Sequence, residues 1–271
     1  MLDQSILQQV REIFKNLDAH YTFRVIADSH RNETEEMRQF LNDFASCSDH
    51  LTCEFNQTFQ DNSLEFTLLK DGKETGITFR GIPNGHEFTS LLLAVLNADG
   101  KGKNLPDEMI CQRIKSLKGA IRLQTYVSLT CTNCPDIVQA LNIMALQNPN
   151  LTHEMVDGAL FQDEVNRLNI QAVPAVYANG EMLHMGRGSL GELLQKLEER
   201  FGSYVSVDIS AAEVQQAIAD GDQILRAIDK EYKEALDEIK ETYKELSKDA
   251  RKAYQDEAKK RQDEAKKNKN K

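Results

Sequence analysis

Two stretches of about 100 residues within positions 1–202 repeat one order of hydrophobic patterns. The second stretch opens with an apolar strand at 121–127, and a helix follows whose apolar residues lie three and four positions apart. A strand, a short helix, two more strands and a closing helix complete it. Their predicted bounds are 134–147, 151–156, 160–168, 175–177, 182–185 and 189–200.

The first stretch follows the same order, and one helix precedes each copy. Its two late strands form a predicted hairpin at Asp71-Gly72, because aspartate followed by glycine favours the tight turn between paired strands. The predicted bounds are 22–27, 33–45, 51–56, 65–69, 77–80 and 87–97, with leading helices at 4–17 and 107–117. This order predicts an α/β fold of mixed sheets flanked by helices. It is typical of thioredoxin-like folds, here in tandem over 1–102 and 103–202.

The remaining residues, 203–271, contain one glycine and no proline. Apolar positions three and four residues apart from Leu225 to Ala253 predict a long helix, and Ser210 and Glu213 have the spacing of a capping box. Two interpretations of this helical tail stay open. It forms a coiled coil that self-associates or binds another helix, or it is a solvated helix that docks weakly on residues 1–202 or serves as an appended spacer. Its end, 266–271, is expected to be disordered.

Charge and composition exclude several classes of protein. The 271 residues carry a formal net charge of −10, which disfavours binding to the phosphate backbone of nucleic acids. No apolar run approaches the ~18 residues of a membrane helix, so no membrane association is expected. Five cysteines in a chain of this length do not form a disulfide scaffold. With no export signal at the N-terminus, we expect a cytoplasmic protein whose paired cysteines are catalytic or metal-binding.

One cysteine pair, Cys131 and Cys134, lies where the first strand of the second copy ends and its helix begins. A four-ligand zinc site would need two further ligands, whereas the other cysteines (47, 53 and 111) and the six histidines are scattered, so redox chemistry is favoured. Free amides at the helix start stabilise a Cys131 thiolate, and Cys134, one turn inside, is the resolving thiol. Pro135 suits the first helical turn, and Thr132-Asn133 adds no charge.

A second motif, Val173-Pro174, stands 40 positions after Cys134 and just before a predicted strand. A proline at this place in a thioredoxin-like fold is often cis and faces the cysteine pair; the alternative is an ordinary turn proline. The first copy lacks both motifs. Its corresponding loop, Asp28 to Asn32, contains no cysteine, and Ser63-Leu64 stands in place of the proline motif.

The whole of residues 1 to about 200 resembles the N-terminal domain of the alkyl hydroperoxide reductase flavoprotein subunit. The resemblance is carried by 128–142, 157–162, 173–180 and, in the first copy, 85–91. It implies that a flavin and pyridine-nucleotide module delivers electrons to the domain, which passes them to a two-cysteine peroxiredoxin. It also implies that Cys131 attacks, that Cys134 is its partner and that Glu87 accepts a proton. Without the resemblance, Glu87 would be an acid favoured at a helix N-terminus.

The family's dinucleotide-binding motif is not found here, because no G-x-G-x-x-G follows a strand and opens a helix, and Gly186-Arg187-Gly188 is too short. We therefore expect no cofactor in this chain beyond its redox-active disulfide, and FAD and NADH on a missing module or a separate reductase. Two other functions stay open. One is a general protein disulfide reductase or isomerase, and the other is a scaffold whose helical tail mediates protein interactions.

Overall fold

The structure, a computed structural model, describes residues 3–103, 105–202, 220, 230, 233, 234 and 241. The chain divides into two compact units, Met1–Tyr204 and Val205–Lys271. The five described residues of the second unit are helical, and Lys230 Nζ lies 3.8 Å from Glu234 Oε1. The predicted capping box, apolar stripe and disordered end of the tail lie outside the described residues.

The first unit contains seven α-helices and eight strands among its described residues, and each element predicted for 1–202 is present, most of them with slightly different ends. The first copy contains α1 (Gln4–Phe14), β1 (Tyr21–Asp28), α2 (Glu33–Ala45), β2 (Leu51–Thr58), β3 (Leu64–Lys70), β4 (Lys73–Arg80), a 3-10 turn (Gly85–Glu87) and α3 (Phe88–Ala98). The second contains α4 (Glu108–Ser116), β5 (Ile121–Val127), α5 (Cys134–Gln147), β6 (Leu151–Asp157), α6 (Gln162–Arg167), β7 (Ala175–Ala178), β8 (Glu181–Met185) and α7 (Leu190–Phe201).

Local sequence accounts for several element ends. Asp71 and Gly72 both have positive φ, 48° and 77°, as the two-residue turn between β3 and β4 requires. Helix α5 begins at Cys134 with Pro135 in its first turn. Helix α7 is preceded by Ser189, whose hydroxyl accepts from the Glu192 amide while the Glu192 carboxylate accepts from the Ser189 amide.

The eight strands form one continuous mixed sheet in the order β2-β1-β3-β4-β6-β5-β7-β8. Each copy contributes four strands in the same relative order, and the copies join where β4 pairs in parallel with β6. The sequence pattern predicts mixed sheets but does not show that the two copies share one. No helix among the described residues is long and apolar enough to cross a membrane.

The pairing directions bring the functional loops to one edge of this sheet. Strands β1, β2, β4, β5, β6 and β8 end there, and β3 and β7 begin there. The loop with the cysteine pair follows β5, Val173-Pro174 precedes β7, and the 3-10 turn follows β4. These segments are distant along the chain and meet because the sheet is continuous.

A partly buried ionic cluster joins the two copies near this edge. The Arg80 guanidinium, on β4, donates to both carboxylate oxygens of Glu164 at 2.6 and 3.0 Å, and lies 4.3 Å from the ring centroid of Phe161. Glu65 and Glu154 lie 3.5 and 4.0 Å from the same guanidinium. The Arg80 side chain is 15% exposed, so removing it would leave several carboxylates partly buried without their cation.

We expect Arg80→Met to lower the free energy of unfolding by about 2–4 kcal/mol, because it leaves three partly buried carboxylates without their cation. Urea denaturation followed by circular dichroism measures this. The matched control is Arg24→Met, which removes an arginine from the more exposed ion pairs with Glu54 and Glu74 and should cost less than about 1 kcal/mol. Equal losses of unfolding free energy in the two variants would contradict the view that the Arg80 cluster stabilises the fold more than the exposed Arg24 pairs.

Candidate active site

The two cysteines of the pair are joined as a disulfide and differ in accessibility. Their Cα atoms are 5.6 Å apart. Cys131 lies in the loop before α5 and is half-buried, whereas Cys134 is the first residue of the helix and is fully buried. Of the two residues, only Cys131 is partly exposed to a partner, which is the asymmetry that an attacking and a resolving thiol need.

The Val173–Pro174 peptide bond is cis, and its residues lie against the pair. The Cys131 sulfur is 4.0 Å from the Val173 carbonyl oxygen. On its other side, the Pro174 carbonyl accepts from the amide of Gly186 at 2.8 Å. The loop before β7 therefore contacts both the cysteine loop and the loop after β8. Pro174 lies beside the cysteine pair, as the sequence predicts.

The residues between and after the cysteines have distinct environments. Thr132 is exposed, Asn133 is half-buried and Pro135 is buried. The Asn133 side-chain oxygen accepts from Arg187 Nε at 2.8 Å. The short Thr132-Asn133 segment is thus held by a residue from the far side of the site, although it carries no charge itself.

The first copy contributes Glu87 through the 3-10 turn, which packs against α5. The amide of His86 donates to the Leu129 carbonyl at 3.1 Å, two residues before Cys131. Gly85 makes this approach possible, because its φ is +55° and a Cβ atom there would lie 2.6 Å from the Leu129 oxygen. The structure thereby places the Glu87 turn beside the cysteine loop.

The Glu87 side chain is fully buried, and neither carboxylate oxygen forms a geometric hydrogen bond with any other residue that the structure describes. Burial raises the pKa of Glu87 to about 7; the Asp136 charge raises it further and the nearby Ser90 hydroxyl opposes the shift. Glu87 also makes no side-chain capping bond to α3, although it occupies the N-cap position. A helix-capping role therefore does not explain this residue.

Sequence reasoning missed the residues that hold these loops. His184 Nε2 donates to the carbonyls of Arg187 and Gly186 at 2.8 and 3.1 Å, and its Nδ1 accepts from Lys196 at 3.1 Å. The one short motif in this region is Gly186-Arg187-Gly188, which is too short for a dinucleotide motif. Nothing else in the sequence indicates that His184 holds this loop.

A second missed group fixes the active-site helix to the sheet. Burial lowers the pKa of His153 to about 3, so the imidazole is neutral. Its Nδ1 donates to Asn142 of α5 at 2.7 Å, and its Nε2 accepts from the Thr125 hydroxyl at 2.8 Å. Helix α5, and with it Cys134, is thereby tied to β5 and β6.

The remaining cysteines lie on other elements: Cys47 follows α2, Cys53 is on β2 and Cys111 is on α4. Cys47 and Cys111 are buried, and burial raises the pKa of half-buried Cys53 to about 12, which leaves its thiol protonated. Within the described part of the chain, no three His, Cys, Asp or Glu side chains are grouped to hold a metal ion.

A family model described as thioredoxin domain matches residues 121–199. With its accessible and buried cysteines, this fold defines the chain as a thiol–disulfide oxidoreductase. The crystal structure of the NTD_N/C domain of alkylhydroperoxide reductase AhpF from Enterococcus faecalis superimposes with a TM-score of 0.65 and 31% identity, over 73% of this chain and 100% of that one. The chain belongs to the family of the N-terminal domain of the alkyl hydroperoxide reductase AhpF.

Two further relatives are longer proteins. The alkyl hydroperoxide reductase AhpF of Staphylococcus epidermidis is 40% identical, and NADH dehydrogenase of Bacillus subtilis 39% identical, each over 73% of this chain. The chain spans 38% of the length of each. A protein disulfide oxidoreductase from Aeropyrum pernix shares the fold with a TM-score of 0.65 and 18% identity, over 73% of this chain and 94% of that chain.

The raised pKa of Glu87 predicts a pH-dependent effect of Glu87→Gln on stability. The native carboxyl keeps its proton up to about pH 7, whereas the unfolded one loses it near 4.5, so the wild type loses stability between these values and the variant does not. We expect the variant's advantage to grow by up to about 3 kcal/mol over this window and then to level off. Urea denaturation at several pH values measures it. Glu36→Gln on α2, an exposed position, is the control, and a parallel pH dependence in both variants would contradict the prediction.

Proposed function

We propose that this chain carries electrons, through the Cys131–Cys134 dithiol, from a flavoprotein reductase module to a two-cysteine peroxiredoxin in peroxide reduction. The observation that carries the proposal is one site that brings together a partly exposed cysteine, a buried cysteine and a buried carboxyl with no hydrogen-bond partner among the described residues. The family membership supports the partner classes. We place the reaction in the reducing cytoplasm, where catalytic dithiols work.

The exchange proceeds in two substitutions at sulfur. The Cys131 thiolate attacks one sulfur of the partner's disulfide, the disulfide bond breaks, and one partner thiolate leaves. The Cys134 thiolate then attacks the Cys131 sulfur, releases the second partner thiolate and closes the Cys131–Cys134 disulfide. Two electrons pass to the partner, which takes up two protons. We assign to Glu87 the removal of the proton from the buried Cys134 thiol.

FAD and NADH belong, in this proposal, to the reductase module. The loops that lead into α2 and α5, at 29–32 and 128–133, contain no glycine, and the loop into α6 contains one. These described residues do not fit a dinucleotide, whose phosphates need a glycine-rich strand-to-helix turn. Electrons therefore enter and leave through the same cysteine pair.

Cysteine variants should separate the two substitutions. We expect Cys134→Ser to form a stable mixed disulfide with an oxidised two-cysteine peroxiredoxin, because the resolving thiol is gone, and Cys131→Ser to form none. Non-reducing gel electrophoresis with mass spectrometry of the linked peptide measures this. Cys53→Ser is the control and should behave as the wild type. A trapped complex through any other cysteine would contradict the assignment.

The alternative function is general reduction of protein disulfides, without a dedicated peroxiredoxin partner. We expect the reduced chain to transfer electrons to the peroxiredoxin at least about tenfold faster than to insulin, since a docked partner gains from proximity. Stoichiometric assays that quantify remaining thiols compare the two. Equal rates would favour the general reductase.

Glu87→Gln should slow the second substitution, because the amide cannot take a proton. We expect the mixed disulfide with a peroxiredoxin to resolve at least about tenfold more slowly, with less change in its formation. Rapid acid quench followed by separation of the mixed disulfide measures both steps. Equal slowing of both steps in Glu87→Gln, or similar slowing in Glu36→Gln, would contradict the role.

A further inference from the structure

An exposed guanidinium, that of Arg187, lies beside the cysteine pair and has no part in the chemistry described so far. Its Nε donates to the side chain of Asn133, the residue immediately before Cys134. The four N–H groups on its two terminal nitrogens make no hydrogen bond or ion pair with the described residues. Arginine presents these groups as a rigid fork that matches a carboxylate.

The backbone that carries Arg187 is held from two sides. The Gly186 amide donates to the Pro174 carbonyl at 2.8 Å, and the Arg187 carbonyl accepts from His184 at 2.8 Å. The imidazole is in turn fixed by Lys196. Gly188 leaves room for the ring, since a Cβ atom there would lie 2.7 Å from His184 Nε2. An ordinary surface arginine has no such support, and fixed backbone geometry is what a recognition residue needs.

Two acids share the shallow depression that Arg187 lines, and neither pairs with it. The Glu192 carboxylate accepts from the amide and hydroxyl of Ser189 at 2.7 and 3.0 Å. Asp136 is in the first turn of α5, where the helix dipole favours an acid. The guanidinium is thus available to a group that arrives with the partner.

We propose that Arg187 is a specificity-determining residue that binds a carboxylate next to the reacting cysteine of a protein disulfide substrate. The inference rests on the proposed thiol–disulfide exchange and narrows its substrates to disulfides in an acidic local sequence. Arg187 touches the carboxylate while Cys131 attacks the neighbouring sulfur, so it orients the substrate without changing the two substitutions.

The test uses three short disulfide-linked peptides that differ only at the residue beside cysteine, which is Glu, Gln or Lys. The chain is reduced with a phosphine, which is then removed, and second-order rates follow from acid quench and alkylation of the remaining thiols. We expect Arg187→Ala to slow the Glu peptide about three- to fivefold more than the Gln peptide, and to narrow the preference for Glu over Lys. Arg187→Lys should restore part of the preference.

Arg122→Ala is the matched control. Arg122 is an exposed arginine at the opposite end of β5, so the control removes the same charge without touching the site. It should leave all three rates unchanged.

Added salt should also reduce the wild-type preference for the Glu peptide. Oxidised glutathione, a small anionic disulfide, serves as a further substrate.

Several results would overturn the proposal. Equal slowing of all three peptides by Arg187→Ala would show that the residue only shapes the loop. A Glu-to-Lys rate ratio that Arg187→Ala leaves unchanged would show that Arg187 does not recognise the charge beside the cysteine. Dependence on Arg187 with glutathione but not with the peptides would remove the assignment to protein substrates. If the wild type reduces none of the peptides, the proposed exchange itself fails, which is a separate result.

Discussion

The parallel pairing of β4 with β6 is the constraint on which the site depends. Four residue pairs, from Ile77–His153 to Arg80–Val156, join two four-stranded halves into one sheet. The turn after β4 then lies two strands from the loop after β5, about 10 Å across the sheet. This spacing places Glu87 from one copy beside the cysteine loop of the other. Without the pairing, the acid and the thiols would belong to separate surfaces.

The two copies use equivalent positions for different purposes. Ser189 precedes α7 and caps it, whereas Glu87 precedes α3, makes no capping bond and is buried at the junction. Burying a carboxyl without partners costs free energy, which the surrounding contacts must offset. The Arg80 cluster supplies part of that support, together with Arg31, which donates to the Leu160 carbonyl at 3.1 Å and lies 5.0 Å from the Phe161 ring centroid. The first copy has no cysteine in its loop and gives the site its acid.

Local signals predict much of the fold and of the cysteine chemistry. The bounds of α2, α5 and β5 match, and the turn at Asp71-Gly72 and the place of Pro174 follow from motifs a few residues long. Helix α1 ends at Phe14, three residues before its predicted end, because apolar spacing continues past the last helical turn. The β4–β6 pairing and the Arg80 cluster join residues more than 70 positions apart, which no local pattern shows. Glu87 is found only by resemblance, since its burial depends on that pairing.

Long-range and short-range electrostatics act in opposite directions at this site. The chain carries a net charge of −10, so its field at a distance repels an acidic partner. That field is screened beyond about 10 Å at ordinary ionic strength, whereas a guanidinium in contact with a carboxylate is not. A partner with basic charge on its outer surface would be attracted by the long-range field, and one carboxylate beside its disulfide would pair with Arg187 at short range. Discrimination then rests on the immediate neighbours of the reacting sulfur, where Pro174 and His184 hold the backbone that carries Arg187.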